Sequence, residues 1–317
     1  MPLISIVTPC YNEEDNVDLL YARVKEQLAG LKQYDHEHIF IDNASSDGTV
    51  DRLRQIAARD PHVKLIVNTR NFGHIRSPMH AYLQAKGDAV IAMAADLQDP
   101  PEMIPELISH WEEGFKVVVG IKPSSRETLA MAFIRRLYYQ VIGRISEVPL
   151  IPNFTGFGLY DREVIEAIRK LDDPYPYFRG LISELGFRYT TIPYEQPRRI
   201  RGITHNNFYT LYDMGMLGIT SHSKLPLRVA TMAGFSLSAI SLLVSLGYLA
   251  AKLLYWDSFS FGTAPIIIGL FFFASVQLFF IGILGEYIGA IHTQVMKRPL
   301  VIEKERVNFN QPAIPKS

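Results

Sequence analysis

The amino-acid sequence predicts an α/β domain with a mostly parallel sheet, followed by a pair of membrane-spanning helices. Two observations predict this fold class. Short β-branched runs alternate with amphipathic segments over residues 3–122, and such alternation is typical of βαβ units, whose strands pair in parallel. Two uncharged runs then cover residues 229–251 and 258–285, and each is longer than the roughly 20 residues that cross a bilayer core.

Five strands are predicted in the N-terminal half. They are the runs "LISIVT", "HIFID", "VKLIVNT", "AVIAMAA" and "KVVVGI". Apolar residues at helical spacing predict a helix after each of the first two strands. The residues with this spacing are Val17, Leu20, Tyr21, Val24, Leu28 and Leu31, and then Val50, Leu53, Ile56 and Ala57. Two more helix starts are predicted, with Ser77 as the N-cap ahead of Pro78 and Asp99 as the N-cap ahead of Pro101.

The predicted membrane hairpin has spans at about residues 229–253 and 264–287. Basic residues precede the first span and follow the second, namely Lys224, Arg228, Lys297, Arg298 and Lys304. This bias predicts that both chain ends lie in the cytoplasm. The alternative is a buried helix pair in a soluble protein. Six glycines in the spans could allow close packing between protomers, so we expect a homo-oligomer; they are Gly234, Gly247, Gly269, Gly282, Gly285 and Gly289.

Four segments are expected along the chain: a catalytic domain at 1–205, juxtamembrane interfacial helices at 206–226, the transmembrane hairpin at 227–292 and a cytoplasmic tail at 293–317. A helical stripe in the second segment indicates either an amphipathic helix on the membrane surface or ordinary packing against the sheet domain. Its residues are Phe208, Tyr212, Met216 and Ile219. The tail after Pro299 is polar and contains prolines, so we expect it to be loosely ordered.

The composition limits the function classes. Lysine plus arginine and aspartate plus glutamate both number 32, so the net charge gives no support to a nucleic-acid partner, and none is expected. Cys10 is the only cysteine, which excludes an intrachain disulfide and a cysteine metal cluster. The start "MPLISIVTPCYNEE" lacks the basic residues and cleavage site of a secretory signal. We therefore expect the catalytic domain on the cytoplasmic side of the inner or plasma membrane.

Three polar loops follow predicted strands, "TPCYNEE", "IDNASSDGT" and "AADLQDPP". In a parallel sheet ligands bind beyond the carboxyl ends of the strands, where these loops fall. Tyr11 could lie against a flat base and Glu13 could accept its hydrogen bonds, although acids in a first helical turn more often complement the helix dipole. Asp42 could accept the N–H of a uracil or guanine, or it could cap its own loop.

Five stretches together carry a family resemblance: "SIVTPCYNEEDN", "IDNASSDGT", "RNFG", "GDAVIAMAADLQDPPEMIPELI" and "TGFGLYDREV". In order and spacing they resemble the family-2 glycosyltransferases of the GT-A fold. With the apolar hairpin included, the chain is most similar to the polyprenyl-phosphate glycosyltransferases, the group of dolichyl-phosphate mannose synthase and bacterial GtrB-type enzymes. The resemblance implies a GT-A nucleotide-sugar-binding domain at the start of the chain.

The resemblance also implies site residues. The nucleotide sugar would contact Pro9, Tyr11, Glu13, Asp42, Ala95, Asp96, Arg199 and Arg201. Asp96 and Gln98 would hold a divalent metal, for which Mg²⁺ or Mn²⁺ suits oxygen ligands. The first acid of the family's "DADLQ" segment is replaced by Ala94, which puts donor affinity or sugar choice in doubt more than metal binding.

Positive charge is needed for two phosphate groups, and arginine is suited to bidentate phosphate recognition. The resemblance implies an acceptor-phosphate site at Lys122, Arg126, Arg135 and Arg136. Arg199 matches the arginine ahead of the family's "GxSK" segment, which reads "GITH" here with His205 in place of the lysine. The residues expected to act in catalysis are Asp96, Lys122, Arg136 and Arg199. For any single one of these cations, surface charge or attraction to anionic lipid is the alternative.

The expected reaction is a single inverting transfer of a sugar to a polyprenyl phosphate such as undecaprenyl or dolichyl phosphate. UDP-glucose is the donor favoured by the resemblance, and GDP-mannose is the next. Phe157 stands where some relatives carry an acid, but a phosphate monoester is largely a dianion at neutral pH and needs no strong base. The alternatives are a catalytically impaired nucleotide-sugar-binding membrane protein, supported by Ala94, and a small transporter accessory.

Overall fold

The computed structural model describes residues 1–122, 151–195, 197, 216, 220, 223–254 and 263–309. Within these residues the chain forms one sheet with helices on both faces and then two long helices. The strands are β1 (Leu3–Cys10), β2 (Asp35–Asp42), β3 (Val63–Asn68), β4 (Ala89–Ala92), β5 (Val117–Ile121), β6 (Phe154–Asp161), β7 (Tyr189–Pro193) and β8 (Glu303–Val307). The helices are α1 (Val17–Ala29), α2 (Thr49–Arg59), α3 (Gly73–Gln84), α4 (Ile104–Glu112), α5 (Arg162–Leu171), α6 (Phe178–Glu184), α7 (Leu225–Leu254) and α8 (Thr263–Met296), with a 3₁₀ turn at Pro101–Met103.

The sheet is mixed and mostly parallel, with the strand order β7-β5-β6-β4-β1-β2-β3-β8. Parallel pairs join β4 to β1, β1 to β2, β2 to β3 and β5 to β7. Antiparallel pairs place β6 between β4 and β5, and β8 against β3. The predicted α/β class with a mostly parallel sheet is therefore confirmed.

The core lies on both faces of the central strands. Residues from β1, β2 and β4 are completely buried, as expected for strands covered by helices on either side. One apolar cluster packs under α1, α2 and α4, and the other packs under α3, α5 and α6. The apolar positions predicted for α1 and α2 supply their buried faces, with Val17, Leu20, Val24 and Leu28 in α1 and Leu53, Ile56 and Ala57 in α2.

Two predicted helix starts are wrong. Helix α3 begins at Gly73, so Pro78 lies inside the helix and Ser77 is not its cap. The earlier start has a local cause, because the Asn71 side chain accepts a hydrogen bond from the Gly73 N–H at 2.8 Å. Asp99 does not cap the turn at Pro101 either, since its carboxylate accepts hydrogen bonds from Ala94 N and the Tyr194 hydroxyl.

The prediction of a loosely ordered tail after Pro299 is wrong for β8. This strand pairs with the otherwise open edge of β3, whose backbone groups need partners. Side chains also fix it: Arg54 donates to Glu305 at 2.5 Å and His80 bonds Glu303 at 2.5 Å. His80 therefore contacts the returning tail. Strand β8 is thus part of the sheet.

Helices α7 and α8 are each long and apolar enough to cross a membrane, by length and composition. Large apolar side chains along both are exposed, among them Phe235, Leu243, Phe271 and Leu278. The Tyr287 hydroxyl donates to the Ser223 carbonyl at 2.6 Å, so the start of α7 lies beside the last third of α8. Met216 and Thr220 are helical, while most of the predicted juxtamembrane segment, including Phe208, Tyr212 and Ile219, lies outside the described residues.

Candidate functional site

The carboxyl ends of β1, β2 and β4 meet at one edge of the sheet, because β1 pairs with both of the others in parallel. The three polar loops predicted to bind ligand follow these strands. A cleft of about 240 Å³ opens there. Its lining includes Pro9, His74, Ala94, Asp99, Thr155 and Arg179. The structure therefore confirms the predicted meeting of the loops and adds residues from β6 and the start of α6 to the same cleft.

The loop after β1 is braced against the loop after β2. Gly48 N donates to Glu14 Oε2 at 2.6 Å, and Glu13 N donates to Thr49 Oγ1 at 2.8 Å. The Glu13 carboxylate accepts a hydrogen bond from Asn16 Nδ2 at 2.6 Å. Tyr11 is 38% exposed, which leaves its ring accessible to a flat ligand. Because the Glu13 carboxylate accepts a hydrogen bond from Asn16 in its own loop, a local structural role for this acid remains an alternative to nucleotide binding.

Asp42 is completely buried at the end of β2. Its carboxylate accepts hydrogen bonds from Ser45 N at 2.9 Å and from the Ser45 hydroxyl. Burial raises the pKa of Asp42, and the two bonds from Ser45 oppose that rise. Of the two roles expected for this residue, capping its own loop is the one that the structure displays. A nucleobase would have to share the carboxylate with Ser45.

The segment after β4 turns sharply at Asp96. Leu97 has φ +58°, a left-handed conformation that a leucine adopts only where the surroundings impose it. This turn carries Gln98 N back to 3.2 Å from Asp96 Oδ1, while Ala95 is buried beneath. A carboxylate and an amide oxygen two residues apart on a tight turn are hard oxygen donors of the kind that Mg²⁺ and Mn²⁺ take. The donor set of Asp96 and Gln98 thus fits a divalent metal.

Asp99 is the cleft residue that sequence reasoning missed. It is 8% exposed, its Oδ2 accepts from Ala94 N at 2.9 Å, and its Oδ1 accepts from the Tyr194 hydroxyl at 3.1 Å. Burial raises its pKa to about 6 and Asp96 adds to the rise, while the bonds from Ala94 and Tyr194 oppose it. The sequence signal was an acid directly after the "DLQ" turn, which we interpreted as a helix cap because prolines follow it.

The opposite wall comes from β6 and α6. Gly156 has φ +104°, which glycine tolerates without strain. Phe157 is buried and packs against Tyr194 with ring centroids 5.4 Å apart, so the position supplies an apolar wall and no acid. Arg179, also missed from the sequence, lines the cleft and donates to the Phe154 carbonyl at 3.4 Å. A basic group therefore lines the same cleft as Asp99.

The predicted phosphate-binding cations are only partly described. Lys122 directly follows β5, and its N–H donates to the Asn153 carbonyl at 3.3 Å. Its charge lowers the pKa of Asp99, against the rise that burial causes. The remaining candidates lie outside the described residues; they are Arg126, Arg135, Arg136, Arg199, Arg201 and His205.

Comparison with known proteins agrees with these features. Residues 5–169 match the family model described as glycosyl transferase family 2. The chain is 36% identical to the uncharacterized glycosyltransferase sll0501 of Synechocystis sp., with 94% of each chain covered. It is 35% identical to the bactoprenol glucosyl transferase of Shigella phage SfII, over 95% of this chain and 97% of that protein.

A solved structure with a looser similarity is glucosyl-3-phosphoglycerate synthase from Mycobacterium tuberculosis in complex with UDP. It has a TM-score of 0.45, 20% identity, and coverage of 69% of this chain and 78% of that one. The family model matches more than half of the chain, and the relatives match nearly all of it. The chain therefore belongs to glycosyl transferase family 2.

Proposed function

We propose that this protein transfers glucose from UDP-glucose to a polyprenyl phosphate and forms a lipid-phosphate sugar on the cytoplasmic face of a membrane. The observation that carries the proposal is the extent of the match to the bactoprenol glucosyl transferases, which covers 95% of this chain. That extent includes both the cleft at the sheet edge and the two apolar helices. Two apolar helices are compatible with an acceptor that lies in a membrane.

The nucleotide sugar is proposed to lie along the carboxyl edge of β1, β2 and β4. Pro9 and Tyr11 would contact the base, and Glu13 and Asp42 would accept its hydrogen bonds. Ala95 and Asp96 would lie beside the diphosphate, and Arg199 and Arg201 would pair with it. Asp96 and Gln98 would hold Mg²⁺ or Mn²⁺, which when bound supplies positive charge to the departing diphosphate.

The reaction is proposed to be one displacement with inversion at the anomeric carbon. An oxygen of the lipid phosphate forms the new bond to that carbon, the bond from the carbon to the diphosphate oxygen breaks, and UDP leaves with the electron pair. The phosphate has its second pKa near about 6, so it is already nucleophilic at neutral pH. Lys122 and Arg136, with Arg126 and Arg135 beside them, would orient it. The apolar Phe157 is compatible with this step because no strong base is needed.

The membrane part is proposed to deliver the acceptor. Helices α7 and α8 would form a hairpin with both chain ends cytoplasmic, and their small residues would allow a homo-oligomer. The Tyr287–Ser223 hydrogen bond joins the start of α7 to the last third of α8. A polyprenyl chain lying along the hairpin would then present its phosphate at the cytoplasmic surface.

One rival function is supported by a specific residue. Ala94 stands where the family resemblance implies an acid, which is compatible with a catalytically silent protein that binds a nucleotide sugar. A donor panel separates the two. Membranes containing the protein would receive undecaprenyl phosphate, Mg²⁺ or Mn²⁺, and labelled UDP-glucose, UDP-galactose, UDP-N-acetylglucosamine or GDP-mannose. We expect labelled lipid with UDP-glucose. Label with GDP-mannose alone would overturn the donor, and no label with any donor would favour the silent protein.

A further inference from the structure

Asp99 lines the cleft at the carboxyl edge of the sheet. Among the described residues that line the 240 Å³ cleft, it is the one acid and Arg179 is the one arginine. The cleft also contains Pro9 from the end of β1 and Thr155 from β6. A ligand that extends through this cleft from β1 to β6 would therefore lie near the Asp99 carboxylate.

Three segments fix the orientation of that carboxylate. Its Oδ2 accepts from Ala94 N at 2.9 Å, and its Oδ1 accepts from the Tyr194 hydroxyl at 3.1 Å. The same hydroxyl lies 3.5 Å from Thr155 Oγ1. Each carboxylate oxygen has two lone pairs, and these bonds occupy one on each oxygen. The group is thus held rigidly by neutral donors and keeps acceptor capacity for a ligand.

The small side chain of Ala94 leaves space for a ligand beside Asp99. Ala94 carries only a methyl group, so its side chain offers no hydrogen-bond acceptor, and it lines the same cleft as Asp99. Hexose hydroxyl groups are hydrogen-bond donors, and a buried carboxylate is a strong acceptor for them because the bond is charge-assisted. A buried polar group made to pair with one hydroxyl also discriminates against sugars that lack it.

We propose that Asp99 accepts a hydrogen bond from a hydroxyl of the donor sugar and so recognises the sugar. Tyr194 orients the carboxylate. This inference rests on the proposed function and goes beyond it, because it assigns the sugar-reading residue. It predicts that the loss of the carboxylate weakens binding of the sugar nucleotide and leaves binding of the nucleotide alone intact.

The test is calorimetric titration of the full-length protein in detergent with Mg²⁺, using UDP and UDP-glucose as separate probes. For Asp99→Asn we expect UDP-glucose affinity to fall by about tenfold or more, and UDP affinity to change by less than about twofold. Asp96→Asn is the matched control, since loss of a metal ligand should weaken both probes. Equal weakening of both probes by Asp99→Asn, or no weakening of either, would overturn the inference.

Two further outcomes are decisive. If Asp99→Asn does not fold, Tyr194→Phe replaces it, since it keeps the carboxylate and removes the orienting hydroxyl. We expect a fall of about threefold for UDP-glucose alone, and wild-type affinity in that variant would overturn the inference. If the wild-type protein does not bind UDP, the proposed donor is wrong and the inference fails with it. If Asp99→Asn transfers sugar from UDP-glucose at an unchanged rate, the inference alone is wrong.

Discussion

Asp96 is the residue on which the proposed chemistry depends most. It is buried at a turn in which the next residue, Leu97, has a left-handed backbone conformation. Its carboxylate is the charged member of the proposed metal site. Replacing it with asparagine should lower sugar transfer by about 100-fold or more, because the departing diphosphate would lose a metal-held positive charge. Initial rates in the labelled-donor assay measure this.

Glu26→Gln is the control for that variant. Glu26 is an exposed acid on α1, away from the cleft edge. The Glu26→Gln variant should therefore transfer sugar at the wild-type rate. The thermal unfolding midpoint of Asp96→Asn should stay close to the wild-type value. Near-normal transfer in folded Asp96→Asn would refute the metal role of this residue.

His38 makes the stability depend on pH. Burial lowers its pKa to about 3, with His36 lowering it further and Asp60 acting in the opposite direction. Because the folded-state pKa is depressed below the unfolded value of about 6.5, the stability is present above that value and is lost as the pH falls toward 3. His38 alone should cost about 2 kcal/mol of unfolding free energy between pH 7 and pH 5.

His38→Gln should remove that dependence while keeping a partner for the Thr8 hydroxyl, which lies 3.0 Å from His38 Nε2. The measurement is the unfolding midpoint of both proteins at pH 7 and pH 5. We expect a smaller drop for the variant than for the wild type. Parallel drops in the two proteins would show that His38 does not titrate as its burial implies.

At the scale of elements, β8 follows α8 in the chain and pairs with the edge strand β3 of the sheet. Truncation after Pro299 should expose the edge of β3 and remove the ion pair between Arg54 and Glu305 at 2.5 Å. We expect an unfolding midpoint several degrees lower and more aggregation, because an open strand edge pairs with other chains. Truncation after Phe309 keeps β8 and serves as the control. Equal unfolding midpoints for the two truncated proteins would show that β8 does not stabilise the sheet.

The sequence predicts the central elements well because their signals are local. Five buried strands and the apolar faces of α1 and α2 follow from periodicity alone. β8 escapes such reasoning because "EKERV" is charged, and it becomes a strand only through an edge that the rest of the fold supplies. The start of α3 escapes it because the Asn71 side chain satisfies the Gly73 N–H, a contact that no spacing rule shows.

The candidate site, like the fold, has some features that the sequence predicts and others that it does not. The meeting of the loops after β1, β2 and β4 follows from the parallel order of the strands, which the alternating pattern predicts. The prolines after Asp99 predict a helix cap. The contacts that Asp99 makes are not predictable from its neighbours, because its partners Ala94 and Tyr194 are five and 95 residues away along the chain. Long-range hydrogen bonds of this kind depend on the packed sheet and are invisible in a local window.

At the scale of the whole molecule, the two long helices predict a membrane topology. Asp257 lies in the sequence between them and Lys297 follows the second. In intact cells, Asp257→Cys should react with a membrane-impermeant maleimide, and Lys297→Cys should react only after permeabilisation. The wild-type protein is the background, since its one cysteine, Cys10, is buried. Labelling of both variants from outside, or of neither before permeabilisation, would contradict the hairpin.

The central claim is that an oxygen of the lipid phosphate attacks the anomeric carbon of the donor sugar. The identity of the released nucleotide tests it most directly. Purified protein in vesicles with undecaprenyl phosphate, UDP-glucose and Mg²⁺ should release UDP and form a lipid monophosphate sugar in equal amounts, measured by chromatography and mass spectrometry. Release of UMP with a lipid diphosphate sugar would show attack at phosphorus, and UDP with free glucose would show water as the acceptor; either result contradicts the claim.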